Sequence, residues 1–194
     1  AIDEFNRLTE RYNFLQKQFL DLAEAKNSLN SVINEMDLIM EERFSSAFAK
    51  LKQQFTVVFQ ELFGGGNAEL ILTDEENLLE TGIDIIAQPL GKKPQHLSLL
   101  SGGERALTAI ALLFAILKVK PSPFCVLDEI EASLDEANVY RFASFLRDFT
   151  DKTQFVVISH RKGTMEMANV LYGVTMEESG VSKLISVKLA DAAS

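Results

Sequence analysis

The feature that most constrains the fold is a heptad pattern near the start of the chain. Apolar side chains recur in alternating steps of three and four along one seam, interrupted by a single lysine: Phe5, Leu8, Tyr12, Leu15, Phe19, Leu22, Lys26, Leu29, Ile33, Met36 and Met40. No proline or glycine occurs before Gly64. A seam this narrow predicts one long helix of a coiled coil, because a helix packed on a globular core uses a wider apolar stripe.

A lone amphipathic helix packed on its own domain is the alternative interpretation of this seam. A coiled coil needs a second helix, and the 194 residues contain no second heptad run. The partner helix must therefore come from elsewhere. After Phe55 the pattern changes to short elements, so we predict a coiled-coil helix over residues 1–55 and a globular lobe over residues 56–194.

Composition limits the classes of function that the chain can have. A hydrophobic content of 47% supports a core of ordinary size, and the net charge of -9 excludes a broad basic surface for nonspecific DNA binding. Contact with nucleic acid must then be local or completed by another chain. The single cysteine, Cys125, excludes a disulfide framework. Without a signal-peptide pattern or a run of 18 apolar residues, we expect a cytoplasmic protein with no membrane partner.

A strand, a helix and a second strand are predicted in the second half of the chain. The apolar run Phe124–Leu127 ends at Asp128 and Glu129, and the run Phe155–Ile158 ends at Ser159 and His160, with an amphipathic helix between them. This βαβ pattern predicts a parallel sheet with polar groups gathered at the carboxyl ends of its strands. Four further strands are predicted: Ala68–Thr73, Ile83–Ala87, Val170–Val174 and Leu184–Leu189.

Two shorter segments are interpreted as connections. The triplet Gly64–Gly66 lacks the Lys-Ser or Lys-Thr pair of a phosphate loop, so we expect a turn. Loops are also predicted at Gln88–Gln95, where Lys92 and Lys93 form a solvated pair, and at the acidic turn Glu177–Gly180.

An apolar helix with a glycine-rich beginning precedes the βαβ unit. Only Thr108 is polar from Ala106 to Leu117, so we expect this helix to be buried on every side. Ser101 stands three residues before Glu104, the spacing of a capping box. With Gly102 and Gly103 the first turn has no side-chain bulk, and its free N–H groups suit a phosphate. An ordinary N-cap with flexible glycines is the alternative.

The acidic pair after the first parallel strand is a candidate catalytic site. One carboxylate, Asp128, can hold magnesium, usually through water, and the other, Glu129, can orient and deprotonate an attacking water. His160 ends the neighbouring strand at the same edge of the sheet. The alternatives are an acidic pair that merely ends a strand at the surface and a structural histidine.

Four motifs resemble those of ABC-type ATPases, in the order of that family. They are the signature motif (Leu100-Ser-Gly-Gly-Glu104), the Walker B strand (Phe124-Cys-Val-Leu-Asp-Glu129), the D-loop (Ala132-Ser-Leu-Asp135) and the switch histidine (His160). The segments DEIEASLDEANVYRF and SHRKGTMEMANVLYGVTMEESGVSK, with the preceding coil, resemble more closely the bacterial SMC chromosome-condensation ATPases. The resemblance implies an α/β fold: the C-terminal half of an ABC-type head, mostly parallel sheet with helices, and the root of its coil.

The resemblance also implies a role for each motif. Asp128 would position Mg²⁺, Glu129 would be the general base, and His160 would sense or stabilise the γ-phosphate of ATP. The signature residues Ser101, Gly102, Gly103 and Glu104 would bind ATP held by the opposite head, with Asp135 across the same interface. ATP would join two heads, and hydrolysis would release them.

Two motifs of the family are absent, and their absence defines the expected partners. The chain has no GxxxxGK[ST] loop and no candidate glutamine loop. In SMC proteins both lie in the N-terminal head lobe, so we expect ATPase activity only when that lobe is added. The resemblance further implies a second head, the winged-helix end of a kleisin, DNA bound through the assembled complex, chromosome condensation or segregation, and nucleoid association.

Three other functions remain open at this stage. An SMC-like ATPase of DNA double-strand-break repair would use the same head chemistry. A non-enzymatic coiled-coil assembly module would use the globular part only for docking. An ABC transporter subunit fits less well, because transporters do not attach five heptads directly to this lobe.

Overall fold

A computed structural model describes residues 2–151, 153–178 and 180–189. The chain divides into two compact units, one formed by the residues up to Ser46 with Asp74–Thr81, and the other by Ala47–Thr73 with the residues from Gly82 onward. The elements are α1 (Ile2–Phe63), β1 (Asn67–Leu72), β2 (Ile83–Gln88), β3 (Gln95–His96), a 3₁₀ turn (Leu97–Leu99), α2 (Gly102–Val119), β4 (Phe124–Asp128), α3 (Glu136–Arg147), β5 (Gln154–Ile158), α4 (Lys162–Glu166), β6 (Val170–Glu178) and β7 (Val181–Lys188).

The long N-terminal helix predicted from the heptads is present, and it continues beyond residue 55. Helix α1 ends only at Phe63, so the prediction of short elements from residue 56 is wrong by two turns. The reason is a change of apolar face: Phe55, Val58, Phe59 and Leu62 are fully buried in the core. The division into residues 1–55 and 56–194 stays a prediction, and its terminal residues 1 and 194 lie outside the described ranges.

The heptad seam is exposed in the first unit. Phe5 is 69% exposed, Phe19 70% and Leu29 64%. Exposed apolar patches of this extent mark a surface that another helix or protein covers. The unit therefore fits the prediction of a coil whose second helix is supplied from elsewhere.

The first sheet follows the glycine triplet. The predicted turn is present, with positive φ at Gly64, Gly65 and Gly66, and β1, β2 and β3 then pair antiparallel. A Cβ added at Gly66 would lie 2.3 Å from the Gln88 carbonyl oxygen, and the φ of +85° favours glycine as well. This position therefore requires glycine for both space and backbone conformation.

The predicted βαβ unit is present, but the sheet as a whole is not mostly parallel. Strands β4 and β5 pair parallel from Phe124–Gln154 to Asp128–Ile158, with α3 as the crossover. The other described strands form two antiparallel sheets, β1-β2-β3 and β6-β7. The expectation of a mostly parallel sheet is therefore wrong for the described residues. In both sheets consecutive strands are joined by a loop without a crossover helix, which favours antiparallel pairing. Ser179, in the predicted acidic turn, lies outside the described residues.

Helix α2 packs against an aromatic cluster in the second unit. The Phe114 ring contacts the rings of Phe142, Phe145, Phe149 and Phe155 at centroid distances of 5.1 to 6.1 Å. The expectation that α2 is buried on every side is wrong, because Ile116 is 46% exposed and Ala109 is also exposed. This side of the helix has no covering layer among the described residues.

The two faces of the β4–β5 pair have very different surroundings. Leu127 on the inner face is buried, and its neighbours Cys125, Phe155 and Val157 are half-buried against the core. The outer face is exposed along its whole length: Phe124, Val126, Asp128, Gln154, Val156 and Ile158. Parallel sheets are usually covered on both faces, and no described residue provides that cover for the outer face.

None of the helices within residues 2–151, 153–178 and 180–189 has both the length and the hydropathy needed to cross a membrane.

Candidate functional site

The acidic pair lies at the carboxyl end of β4. Asp128 is the last strand residue, exposed on the uncovered face of the sheet, and Glu129 follows it with a φ of +47°. A left-handed conformation is uncommon for a residue with a side chain and tends to occur at functional sites. The Glu129 N–H donates to the Ile158 carbonyl at 2.9 Å, and the Glu129 carbonyl accepts from the Ala132 N–H at 3.0 Å. These two bonds hold the strained backbone in place.

Glu129 and His160 lie side by side because β4 and β5 are parallel neighbours. His160 Nδ1 lies 3.2 Å from Glu129 Oε1, and both side chains are more than half exposed. With Nδ1 protonated, the ring donates to the carboxylate and its Nε2 remains directed elsewhere. The structure therefore brings together three of the predicted residues: Asp128 and Glu129 on one strand end and His160 on the next.

The predicted capping box begins helix α2. Ser101 Oγ accepts from the Glu104 N–H at 3.4 Å, and Glu104 Oε2 accepts from the Ser101 N–H at 3.2 Å and from its hydroxyl at 2.8 Å. The N–H groups of Gly102 and Gly103 take no part in this box. Within the described part of the chain these two amides of the first turn are available to an anion, whereas the Ser101 hydroxyl is already bound to Glu104.

Lys92 is part of this cluster, which the sequence did not predict. Its Nζ lies 2.8 Å from Glu104 Oε1, so the expectation of a merely solvated lysine pair is wrong for Lys92. The hydrogen bond from Lys92 is the main cause that lowers the pKa of Glu104, and the hydrogen bonds from Ser101 lower it further. Spacing along the chain does not indicate this contact, because Lys92 lies in a loop that folds back on α2.

The two signature glycines differ in their surroundings. A Cβ at Gly102 would meet nothing within 4 Å, whereas a Cβ at Gly103 would lie 3.2 Å from the Ser133 carbonyl oxygen. The prediction that both glycines leave the helix end unobstructed is therefore right for Gly102 and wrong for Gly103. Gly103 instead allows α2 to approach the loop Ala132–Asp135. Asp135 in that loop is exposed and caps α3, accepting from the Asn138 N–H at 2.8 Å.

Glu131 is a buried carboxyl group that sequence reasoning missed. It lies two residues after Glu129, is 1% exposed, and accepts hydrogen bonds from Ser159 and Thr164. Arg161, also unpredicted, donates from Nη2 to the Ala132 carbonyl at 2.9 Å and to the Leu134 carbonyl at 3.3 Å. The acidic composition of the segment gave no sign that this glutamate points inward.

The carboxylates of Asp128 and Glu129 suit Mg²⁺ better than a metal ion whose ligands all come from the protein. The described part of the chain contains no group of three or more His, Cys, Asp or Glu that could hold a metal ion. Mg²⁺ is typically bound by one or two carboxylates, with water and phosphate oxygens as its other ligands. The exposed Asp128 supplies a carboxylate of this kind next to Glu129, so the residues present fit a magnesium–nucleotide complex.

Comparison with known proteins identifies the family. The domain family described as RecF/RecN/SMC N terminal domain matches residues 6–183. The chain belongs to the SMC family. It is 68% identical over 189 residues to a protein named Chromosome partition protein Smc from Desulfitobacterium hafniense and 65% identical over 191 residues to that from Bacillus subtilis. These matches cover 97% and 98% of the chain but 16% of either relative.

Solved SMC structures share the fold. One comes from work on ATP-driven dimerisation and DNA-stimulated activation of SMC ATPases: TM-score 0.70, 41% identity, 76% of this chain and 89% of that chain. Another is an Smc head bound to the C-winged helix domain of ScpA. It has a TM-score of 0.69 and 43% identity, and the match covers 73% of this chain and 43% of that chain. A third is an Smc head with an extended coiled coil bound to the C-terminal domain of ScpA, from Pyrococcus furiosus. It has a TM-score of 0.74 and 38% identity, and the match covers 95% of this chain and 46% of that chain. The chain has the mixed helix and strand fold of an SMC head with a long N-terminal helix.

Proposed function

We propose that this chain is the C-terminal lobe of an SMC ATPase head and that it is completed by an N-terminal lobe with the GxxxxGK[ST] loop. The observation that carries the proposal is the uncovered outer face of β4 and β5, which ends in Asp128. A second lobe on that face would bury the sheet and bring its nucleotide to the acidic pair. The matching domain family is described as an N terminal domain. The proposal of a C-terminal lobe is therefore based on the four sequence motifs and on the exposed outer face of β4 and β5.

A large groove next to β5 supports the need for another lobe. It has a volume of about 920 Å³ and is lined by α3, β5, α4 and β6. Apolar side chains on β6 extend it, with Tyr172 65% and Val174 72% exposed. Exposed apolar side chains clustered around a groove are typical of a surface against which another protein element packs.

The acidic pair supports ATP hydrolysis with Glu129 as the general base. Its carboxylate is exposed enough to contact a water, and His160 at 3.2 Å can hold that carboxylate in one orientation. Asp128 would be the protein ligand of Mg²⁺, which, when bound, offsets phosphate charge during hydrolysis. His160 would contact the γ-phosphate through its second ring nitrogen.

The beginning of α2 would bind the nucleotide of the opposite head. The unused N–H groups of Gly102 and Gly103 and the positive end of the helix favour an anion there. The Ser101 hydroxyl, which now donates to Glu104, would turn to the γ-phosphate. Asp135 lies in the neighbouring loop and would face the same interface. ATP would thus hold two heads together.

The relatives suggest what the assembled protein does. Their name, Chromosome partition protein Smc, and the head bound to ScpA favour a role in chromosome condensation or segregation with a kleisin partner. Entrapment of DNA by the assembled heads and coils is part of this proposal. A double-strand-break repair ATPase is the second candidate within the family, and capture of a nuclease rather than a kleisin would favour it.

The test adds the missing lobe to the chain. The chain alone should not turn over ATP, and the chain with an N-terminal lobe should hydrolyse ATP and dimerise in an ATP-dependent manner. A control lobe with its GxxxxGK lysine replaced by alanine should remain inactive. Absence of ATP turnover in the complete pair would contradict the proposal and favour a docking module. ATPase activity of this chain with a second copy of itself would contradict its assignment as the C-terminal lobe.

A further inference from the structure

The loops that follow β4 and β5 are joined by one buried carboxyl group. Glu131 follows β4 at 1% exposure, and its Oε1 accepts from Ser159 Oγ and from Thr164 Oγ1, the latter at 3.1 Å. Ser159 directly precedes His160, and Thr164 lies in the helix after it. Burying a carboxylate is costly unless hydrogen bonds or charges compensate it. Two donors from one short segment therefore make Glu131 an anchor for that segment.

The segment that contains Ser159 and Arg161 also holds the loop after β4 in place. The Arg161 N–H donates to Ser159 Oγ at 3.0 Å, so the hydroxyl that donates to Glu131 also accepts from the next arginine. The Arg161 guanidinium then binds the carbonyls of Ala132 and Leu134. This closed network connects the loop containing Glu129 and Asp135 with the segment containing His160.

Two atoms of this network are buried without a hydrogen bond partner in the described residues. They are Glu131 Oε2, an acceptor, and Arg161 Nε, a donor. Unpaired buried polar atoms are rare in folded proteins, and each calls for a functional or structural reason. Contacts within the described residues therefore use only part of the hydrogen-bonding capacity of these two side chains.

We propose that Glu131 is a positioning residue for hydrolysis, which sets His160 against Glu129 by accepting hydrogen bonds from Ser159 and Thr164. The inference rests on the proposed ATPase function but concerns a residue that does not contact the nucleotide. Because it acts as a hydrogen bond acceptor, glutamine should replace it and leucine should not.

The test uses the complete SMC protein with the variants Glu131→Gln and Glu131→Leu. Glu131→Leu should lower kcat by about tenfold or more with little change in KM, because the base and the histidine lose their relative placement. Glu131→Gln should keep kcat within about threefold of the wild type. The exposed Glu80→Gln and Glu80→Leu pair is the matched control and should leave kcat unchanged.

A second readout separates this inference from the proposed function. The chain contains two histidines, His96 and His160, so ¹³C-histidine NMR of the labelled chain joined to its unlabelled partner lobe gives one signal for each. Glu131→Leu should move the His160 signal and leave the His96 signal in place, and Glu131→Gln should move neither. This holds whether or not ATP is hydrolysed.

Several outcomes would overturn the inference. They are wild-type kcat in Glu131→Leu, equal loss of kcat in Glu131→Gln and Glu131→Leu, or a His160 signal that does not respond to Glu131→Leu. If the leucine variant does not fold, Ser159→Ala and Thr164→Val replace it. Each removes one donor to Glu131, and unchanged kcat and an unchanged His160 signal in both would overturn the inference.

Discussion

At the residue scale, the acidic pair combines an exposed carboxylate with a strained backbone. Glu129 keeps a φ of +47° because its N–H and carbonyl are both bonded to the neighbouring chain segments. The strain fixes where its side chain leaves the end of β4, close to His160. A residue held in this way has its position set by the protein itself, without a bound ligand.

We predict that Glu129→Gln in the assembled head separates ATP binding from ATP hydrolysis. Glutamine has the same size and still contacts water, but it cannot accept a proton, so kcat should fall by about a hundredfold or more. ATP-dependent dimerisation, followed by size-exclusion chromatography with light scattering, should persist. The exposed Glu136→Gln is the control and should hydrolyse normally. Normal turnover in Glu129→Gln would contradict its role as base.

The two signature glycines give a second prediction at this scale. Gly102→Ala should be neutral or stabilising by up to about 1 kcal/mol, because alanine favours a helix and the site is open. Gly103→Ala should lower the free energy of unfolding relative to Gly102→Ala, since its Cβ meets the Ser133 carbonyl. That carbonyl cannot move away easily, because Arg161 binds the carbonyls on either side. Urea unfolding of both variants measures the difference, and equal stability would show that the contact is harmless.

At the element scale, helix α2 begins with a capping box that an ion pair strengthens. Folding lowers the pKa of Glu104 from its usual value of 4.5, so its carboxylate stabilises the folded state at pH values above 4.5. This stabilisation is lost as the pH falls through the lowered pKa. The unused amides of the first turn depend on this box for their orientation. The beginning of α2 should therefore be sensitive to acid.

We predict that Glu104→Gln destabilises the chain at pH 7 and that this destabilisation shrinks as the pH falls below 4.5. The wild-type carboxylate is charged and paired with Lys92 at pH 7, whereas at pH values below its lowered pKa it is protonated and resembles glutamine. Urea unfolding of both proteins over a descending series of pH values measures the change, with the exposed Glu80→Gln as control. A difference that stays constant across the series would mean that the charge on Glu104 is unimportant.

Local sequence patterns predicted most of the helices and strands. The features that they did not predict depend on tertiary contacts. The βαβ unit and the capping box are visible in the sequence, since both depend on spacing within a few residues. The burial of Glu131, the Lys92–Glu104 pair and the contact of Gly103 with Ser133 join segments far apart in the chain or turn a side chain inward. Hydrophobic periodicity carries no information on such contacts. It also missed the change of buried face that extends α1 to Phe63.

At the scale of the whole molecule, the described surfaces fit one part of a larger assembly. The heptad seam of the first unit is exposed, and in the second unit the outer face of β4 and β5 is exposed as well. Each surface has the chemistry of a covered element, a coil seam in one case and a parallel sheet in the other.

We propose that α2 binds a nucleotide of the opposite head, while Asp128 and Glu129 serve the nucleotide of their own head. The most direct test mixes two inactive, complete heads, one with Gly102→Asp and one with Asp128→Asn. Gly102 has open space around it, so the added aspartate should repel phosphate without disturbing the fold. If sites are shared, about a quarter of the wild-type ATPase rate should return, because half of randomly formed dimers contain one intact site of two. A mixture as inactive as its components would contradict the claim.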